Sequence, residues 1–132
     1  MALTNDRDTP ERDGALVGRP VAASTKLYAG GMGAVDASGN AVAAADTAGL
    51  TTVGRIESQV DNSAGSAGDE TVTMLRGVFR YANSATNPLS AADIGSNALV
   101  EDDETVAKTT TNSIVAGKMI DIDADGVWVE IK

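Results

Sequence analysis

The chain has 132 residues, enough for one domain, and carries 19 acidic against 10 basic side chains for a formal net charge of -9, a balance that repels nucleic-acid phosphates and anionic lipid. It contains no Cys and no His, which removes disulfides, thiolate nucleophiles, and the commonest general base and metal ligand. Aromatics make up 3% of residues and Ala supplies much of the 42% hydrophobic content, so the core must be assembled from small side chains, and burial against other subunits becomes an attractive source of stability.

The first residues, MALTNDRDTPERDG, are charged rather than apolar, so a secretory signal is not expected, and no later run approaches the roughly 20 apolar residues of a membrane span. Residues 1 to 20 contain Pro10 and Pro20 and show neither helical nor strand periodicity. They read as an extended N-terminal arm, either a loose terminus or a strap that orders on a neighbouring subunit. From Val21 to Lys132 the text is a series of short runs broken by turn formers, which predicts a single all-β domain, a small β-barrel or β-sandwich, with at most one or two short helical turns.

KLYAGGMGAV, DASGN and AVAAA (26–45) read as a hairpin, although the Ala-rich AVAAADTAGL has some helical propensity. TTVGRIESQV (51–60) leads through a flexible tip, DNSAGSAGDE, to TVTMLRGVFRYAN (71–83), whose Val72, Val78, Phe79 and Tyr81 favour a pleated, half-buried strand. Gly77 within it suggests a bulge or bend. PLSAADIG (88–95) predicts one helical turn with Ser90 at its cap, and NALVEDDETVAKT a hairpin turning through Glu101–Glu104.

MIDIDADGVWVEI (119–131) poses the sharpest choice. Asp121, Asp123, Asp125 and Gly126 match the opening of a helix-loop-helix calcium site, but the twelfth position is Lys132 where a bidentate Glu belongs. The flanks alternate like strands, and Asp-Gly between two such runs signals a hairpin. The turn is the reading favoured, with weak millimolar calcium binding at the clustered carboxylates left open. Here Ile120 and Ile122 are expected on one face and Val127, Val129 and Ile131 on another. The predicted core comprises Val72, Phe79, Ile120, Ile122, Val127, Trp128 and Val129.

AGGMG (29–33) and AGKM (116–119) reproduce neither a dinucleotide fingerprint nor a P-loop. The four acids of Glu101–Glu104 are expected to be solvated at a hairpin tip, with a carboxylate pair such as Asp102 and Glu104 as the disfavoured enzymatic alternative. No catalytic residue, metal or cofactor is therefore expected. Arg76 and Arg80 are expected on one strand face, able to pair with acids across the sheet or across an interface.

Taken in order, DRDTPERDG, VAASTKLYAGG, TTVGRIESQVDNSAG, RGVFRYANS, ADIG, DDETVAKT and DADGVWVEI resemble the capsid decoration (cement) proteins of tailed bacteriophages associated with Mu-like major capsid proteins. The resemblance spans nearly the whole chain. It implies a β-rich, β-tulip-like structural protein of the virion, made in the host bacterial cytoplasm. Such a protein sits on the outer capsid surface, with a trimer favoured over a dimer, and bridges subunits of the major capsid protein. The interface candidates are Leu3, Arg7, Thr9, Pro10, Arg12 and Leu16 in the arm, with Arg76 and Arg80 in the domain. A carbohydrate-binding or adhesion module is the alternative, since exposed aromatics would serve stacking on sugars.

Overall fold

Gly, Asp, Asn and Ser punctuate the sequence so often that only short extended runs survive between them. The computed structural model describes residues 1–12 and 14–132. Among these it contains β1 (Leu16–Pro20), β2 (Thr25–Leu27), β3 (Met32–Val35), β4 (Ala41–Ala43), β5 (Thr51–Ile56) and β6 (Val60–Asn62). β7 (Thr71–Leu75), β8 (Gly77–Asn83), β9 (Asn97–Val100), β10 (Thr105–Ala107), β11 (Val115–Asp123) and β12 (Gly126–Ile131) follow, with a 3-10 turn at Ala91–Asp93. The fold is all-β. β1-β7-β5-β3-β4 form an open antiparallel sheet, β10-β8-β12-β11-β9 close into a small barrel, and β2 with β6 makes a two-stranded ribbon.

Two apolar clusters hold these parts together. The larger fills the barrel with Tyr81, Ala98, Val100, Val106, Met119, Val127, Val129 and Ile131, and it also takes Met32, Ala34 and Ala44 from the β3–β4 region. The smaller joins Val21, Leu27, Ala41, Ile56, Val72 and Met74, with Val60 of the ribbon packed against it. Because successive residues of a strand face opposite ways, β3 serves both: Met32 and Ala34 enter the barrel's cluster, while Gly33 leaves its other side to Met74 and Ile56. The open sheet is thus packed on both faces, by the barrel and by the ribbon.

The hairpins form at turns where an Asp carboxylate gathers backbone amides. Asp36 Oδ1 accepts the amides of Ser38 (2.9 Å) and Asn40 (3.0 Å) between β3 and β4, so the Ala-rich run there is strand rather than helix. Asp123 Oδ1 does the same for Asp125 (2.8 Å) and Gly126 (3.1 Å) between β11 and β12. The Asp-x-Asp-x-Asp-Gly stretch is therefore a two-residue hairpin loop, with Asp123 opposite Gly126. Gly126 has φ of 154° and a methyl there would strike the carbonyl of Tyr81.

Three expectations are corrected. The strand expected over 71–83 is two strands in different sheets, broken at Arg76, whose amide instead donates to Ala15 O at 2.8 Å. The tip at 61–70 is laced together: buried Asn62 donates through Nδ2 to the carbonyls of Ala22 (2.9 Å) and Ser66 (3.0 Å), and Asp69 Oδ2 accepts the Ser66 amide at 2.8 Å. The arm is shorter than residues 1–20, because its last five residues are β1, in register from Leu16 opposite Leu75 to Pro20 opposite Thr71. Pro20 is tolerated because it ends an edge strand, where its missing N–H breaks no ladder.

Candidate binding interface

Residues 1–12 form no strand or helix and are exposed throughout. The alternation Asp6, Arg7, Asp8 with Glu11 and Arg12 leaves little apolar surface to bury, and Pro10 offers no amide to a ladder, so the segment has no reason to collapse onto its own domain. Leu3 is 72% exposed, and Arg7, Thr9, Pro10 and Arg12 are exposed beside it. Leu16, the last arm candidate, lies at the start of β1 with 52% of its surface exposed. β1 is an edge strand with β7 on one side, so the arm issues from an unpaired row of backbone groups of the kind that recruits another chain. Arg19 Nε pins this edge to Gly39 O at 2.8 Å.

Arg76 and Arg80 are both exposed, but only Arg80 lies within a strand. Arg76 sits at the junction between sheets, whereas Arg80 stands on the outer surface of the barrel. There its guanidinium lies 5.6 Å from the ring centre of Trp128 and its Nη1 is 3.9 Å from Asp123 Oδ2 and 3.8 Å from Asp125 Oδ2. The Trp128 indole donates to Asp123 Oδ2 at 2.8 Å. That indole hydrogen bond, aided by the Asp125 amide and the Arg80 charge, holds the Asp123 carboxyl below its ordinary range. Exposed ion pairs of this kind add little stability. Their effect is to fix the ring and the guanidinium in one orientation.

Trp128 is therefore half-buried on the outside, not part of the core. Ile120 is also displaced, at 40% exposed. The ladder steps from Met119 opposite Val129 to Asp121 opposite Trp128, which leaves Ile120 as the extra residue of a bulge and resets the alternation. Ile120 and Ile122 consequently part company: Ile122, with Phe79, packs partly buried against the barrel cluster, and Arg55 stacks 4.6 Å from the Phe79 ring centre. Val72, Val127 and Val129 are buried.

The acids of Glu101–Glu104 build a turn. Asp102 Oδ1 accepts the Glu104 amide at 3.0 Å, and Glu101 Oε1 accepts the buried Ser84 hydroxyl at 2.6 Å. The Asp103 carbonyl accepts Met32 N at 2.7 Å, which docks the barrel turn on the open sheet. Burial, and then the neighbouring Asp102 charge, push the Asp103 carboxyl up. Glu101 and Asp103 are thus half-buried rather than solvated, in contrast to Asp102 and Glu104. Among the described residues, no three acidic side chains converge to hold a cation.

The sequence gives no local sign of a further feature, a groove of about 490 Å3 between the start of β5 and the ends of β11 and β12. β5 pairs with β3 from Thr51 to Arg55 but meets β7 only at Arg55 and Ile56, so Thr51 and Thr52, which line the groove, have no ladder partner on that side, whereas the Leu75 backbone closes over Gly54. Leu50, Ile114 and the exposed Val115 supply apolar surface, and Lys118 and Lys132 line it with positive charge. Thr52 Oγ1 is buried there with no hydrogen-bond partner. At β11 the strands approach so closely that a methyl at Gly117 would strike the Glu130 carbonyl.

No family model, curated protein or solved structure matches this chain.

Proposed function

We propose that this chain is a structural protein of a tailed-phage virion that binds the outer surface of the capsid and bridges major capsid protein subunits, self-associating as it does so, with a trimer favoured over a dimer. The observation that carries the reading is the exposed, charge-alternating arm of residues 1–12, tipped by Leu3 and issuing from the edge strand β1. Such an arm is a strap: ordering it on a neighbour adds contacts that the thin core of its own domain does not need. Repeated over a symmetric shell, many weak straps give avidity and oppose separation of subunits under internal pressure. The role calls for no catalytic group or cofactor and for no nucleic-acid or membrane contact.

The test uses phage heads of the Mu-like class stripped of accessory protein. Full-length protein is expected to coat them, as seen by electron microscopy, and protein lacking residues 2–12 to bind about tenfold more weakly or worse. Normal coating by the truncated protein would remove the arm from the mechanism. Failure of the intact protein to coat any such head would remove the capsid reading altogether.

A glycan-binding module is the second reading. It is favoured by Tyr28, 57% exposed in a cleft with Gly30, Gly31, Asp103 and Glu104, an aromatic face beside carboxylates. A glycan array distinguishes it, since binding lost in Tyr28→Ala would support this reading over the first.

A further inference from the structure

We propose that the cleft between Tyr28 and the turn at Asp103 and Glu104 holds an arginine side chain presented by a basic partner protein. The site is independent of the capsid reading and needs neither the arm nor a shell.

The cleft measures about 420 Å3 and is lined by Tyr28, Ala29, Gly30, Gly31, Asp103 and Glu104. Its side chains offer acceptors almost alone. The amides of Gly30 and Gly31 already donate to Ile56 O (2.9 Å) and Tyr28 O (3.3 Å), and the Glu104 amide donates to Asp102 Oδ1 (3.0 Å). Two carboxylates and one phenol remain to meet a ligand. A group that only donates matches such a lining, and guanidinium carries five donors and no acceptor. A sugar hydroxyl, which also accepts, finds one side-chain donor there, the phenol. A methyl at Gly31 would come within 3.3 Å of Asp103 Oδ2, so the glycine keeps the space beside that oxygen clear.

The negative charge of this turn is uncompensated. Among the described residues Asp102, Asp103 and Glu104 form no ion pair, and burial, then the Asp102 charge, push the Asp103 carboxyl up. Lys26 Nζ stands 5.4 Å from the Tyr28 ring centre, but Lys26 lies opposite Asp61 in the ribbon and does not line the cleft. Tyr28 remains 57% exposed. An aromatic face beside carboxylates attracts a cation, and a planar guanidinium stacks on the ring and forks to carboxylate oxygens as an ammonium cannot. The partner is basic and not a second copy, because a chain of net charge -9 repels its own kind and draws the opposite sign.

Titration of the full chain with N-acetyl-arginine amide at physiological salt, followed by amide NMR, tests the site. Shifts are expected to centre on Gly30, Gly31, Asp103 and Glu104. The lysine counterpart should bind more weakly, and the citrulline counterpart, which keeps the planar head and loses the charge, should not bind. Tyr28→Ala and Glu104→Gln should each weaken arginine binding about tenfold, whereas Tyr28→Phe should retain it. Glu70→Gln removes one exposed charge from outside the cleft and should change nothing. An equal loss in Glu70→Gln, or shifts spread over every acidic turn, would reduce the effect to net charge and overturn the site. Equal binding of the citrulline counterpart, or of neutral saccharides lost in Tyr28→Ala, would give the cleft to a glycan and overturn it as well. Self-association of the free chain that disappears in Glu104→Gln would make the occupant a second copy and overturn the basic partner. Binding to phage heads is scored separately, so each of these results leaves the capsid reading to its own test.

Discussion

The barrel and the open sheet are built from the same kinds of residue yet dispose of their edges in opposite ways. In the barrel every strand has two neighbours, and its cluster runs unbroken from Tyr81 through Met119 to Ile131. The open sheet ends in β1, β5 is half-paired, and the smaller cluster is covered by one ribbon of two three-residue strands. Closure removes the hazard of a free edge. Here the free edges sit in the half from which the arm issues, whereas the groove is lined mostly by barrel strands. Closed and free edges are thereby assigned to different sheets.

The sharpest way to break that division is to excavate the barrel. Met119 is fully buried, and Met119→Ala is expected to cost about 2 to 5 kcal/mol, read as a fall in urea midpoint with all strands melting together. If β1 and β7 stayed protected from hydrogen exchange while the barrel opened, the open sheet would be an independent unit and the comparison would fail.

A smaller change of opposite sign is expected at Tyr81. Its ring is buried and its hydroxyl has no hydrogen-bond partner, so Tyr81→Phe should stabilise the protein by about 1 kcal/mol. Burial raises the phenol to about 12, against a smaller lowering by Arg55. With the folded value above the unfolded one, the neutral phenol contributes stability that is intact below about pH 10 and is lost as pH rises toward 12. The phenylalanine variant should lose that component of the alkaline melt, and an identical pH profile would place the hydroxyl in contact with solvent.

On the barrel's outer face, the Asp123 carboxyl is depressed, so its contribution is present above the ordinary Asp value of about 3.9 and lost as pH falls through the lower folded value. Fluorescence of Trp128, the sole Trp, should shift over that acid range and not in Asp123→Asn. Least affected of all should be the melting temperature of protein lacking residues 2–12, which is expected to be unchanged at low concentration. A large fall would mean that the arm belongs to the fold and not to its surroundings.

Much of the architecture was legible because turn chemistry is local. Asp36 and Asp123 each announce a reversal within four residues, and the alternation around Val127 and Val129 fixes which face is inward. The failures have equally local causes. A period-two pattern cannot see the extra residue of the bulge, so it puts Ile120 on the face of Ile122. Trp128 is expected in the core, whereas its indole N–H finds its partner, Asp123, at the surface. Arg76 carries no mark of a strand break beyond the adjacent Gly77. The groove could not be read at all, because Leu50, Ile114 and Ile131 come together only through tertiary packing.

The way the arm is tethered has a mechanical consequence. Ala15 and Arg76 lie at the same end of the β1–β7 ladder, so a pull on the arm that is resisted through β8 acts on that pair as on the two tabs of a zipper. The bonds then part singly, from Leu16 opposite Leu75 toward Pro20 opposite Thr71, instead of all bearing the load at once. The tether yields gradually under tension, paying out its five residues of slack while the barrel behind it stays intact.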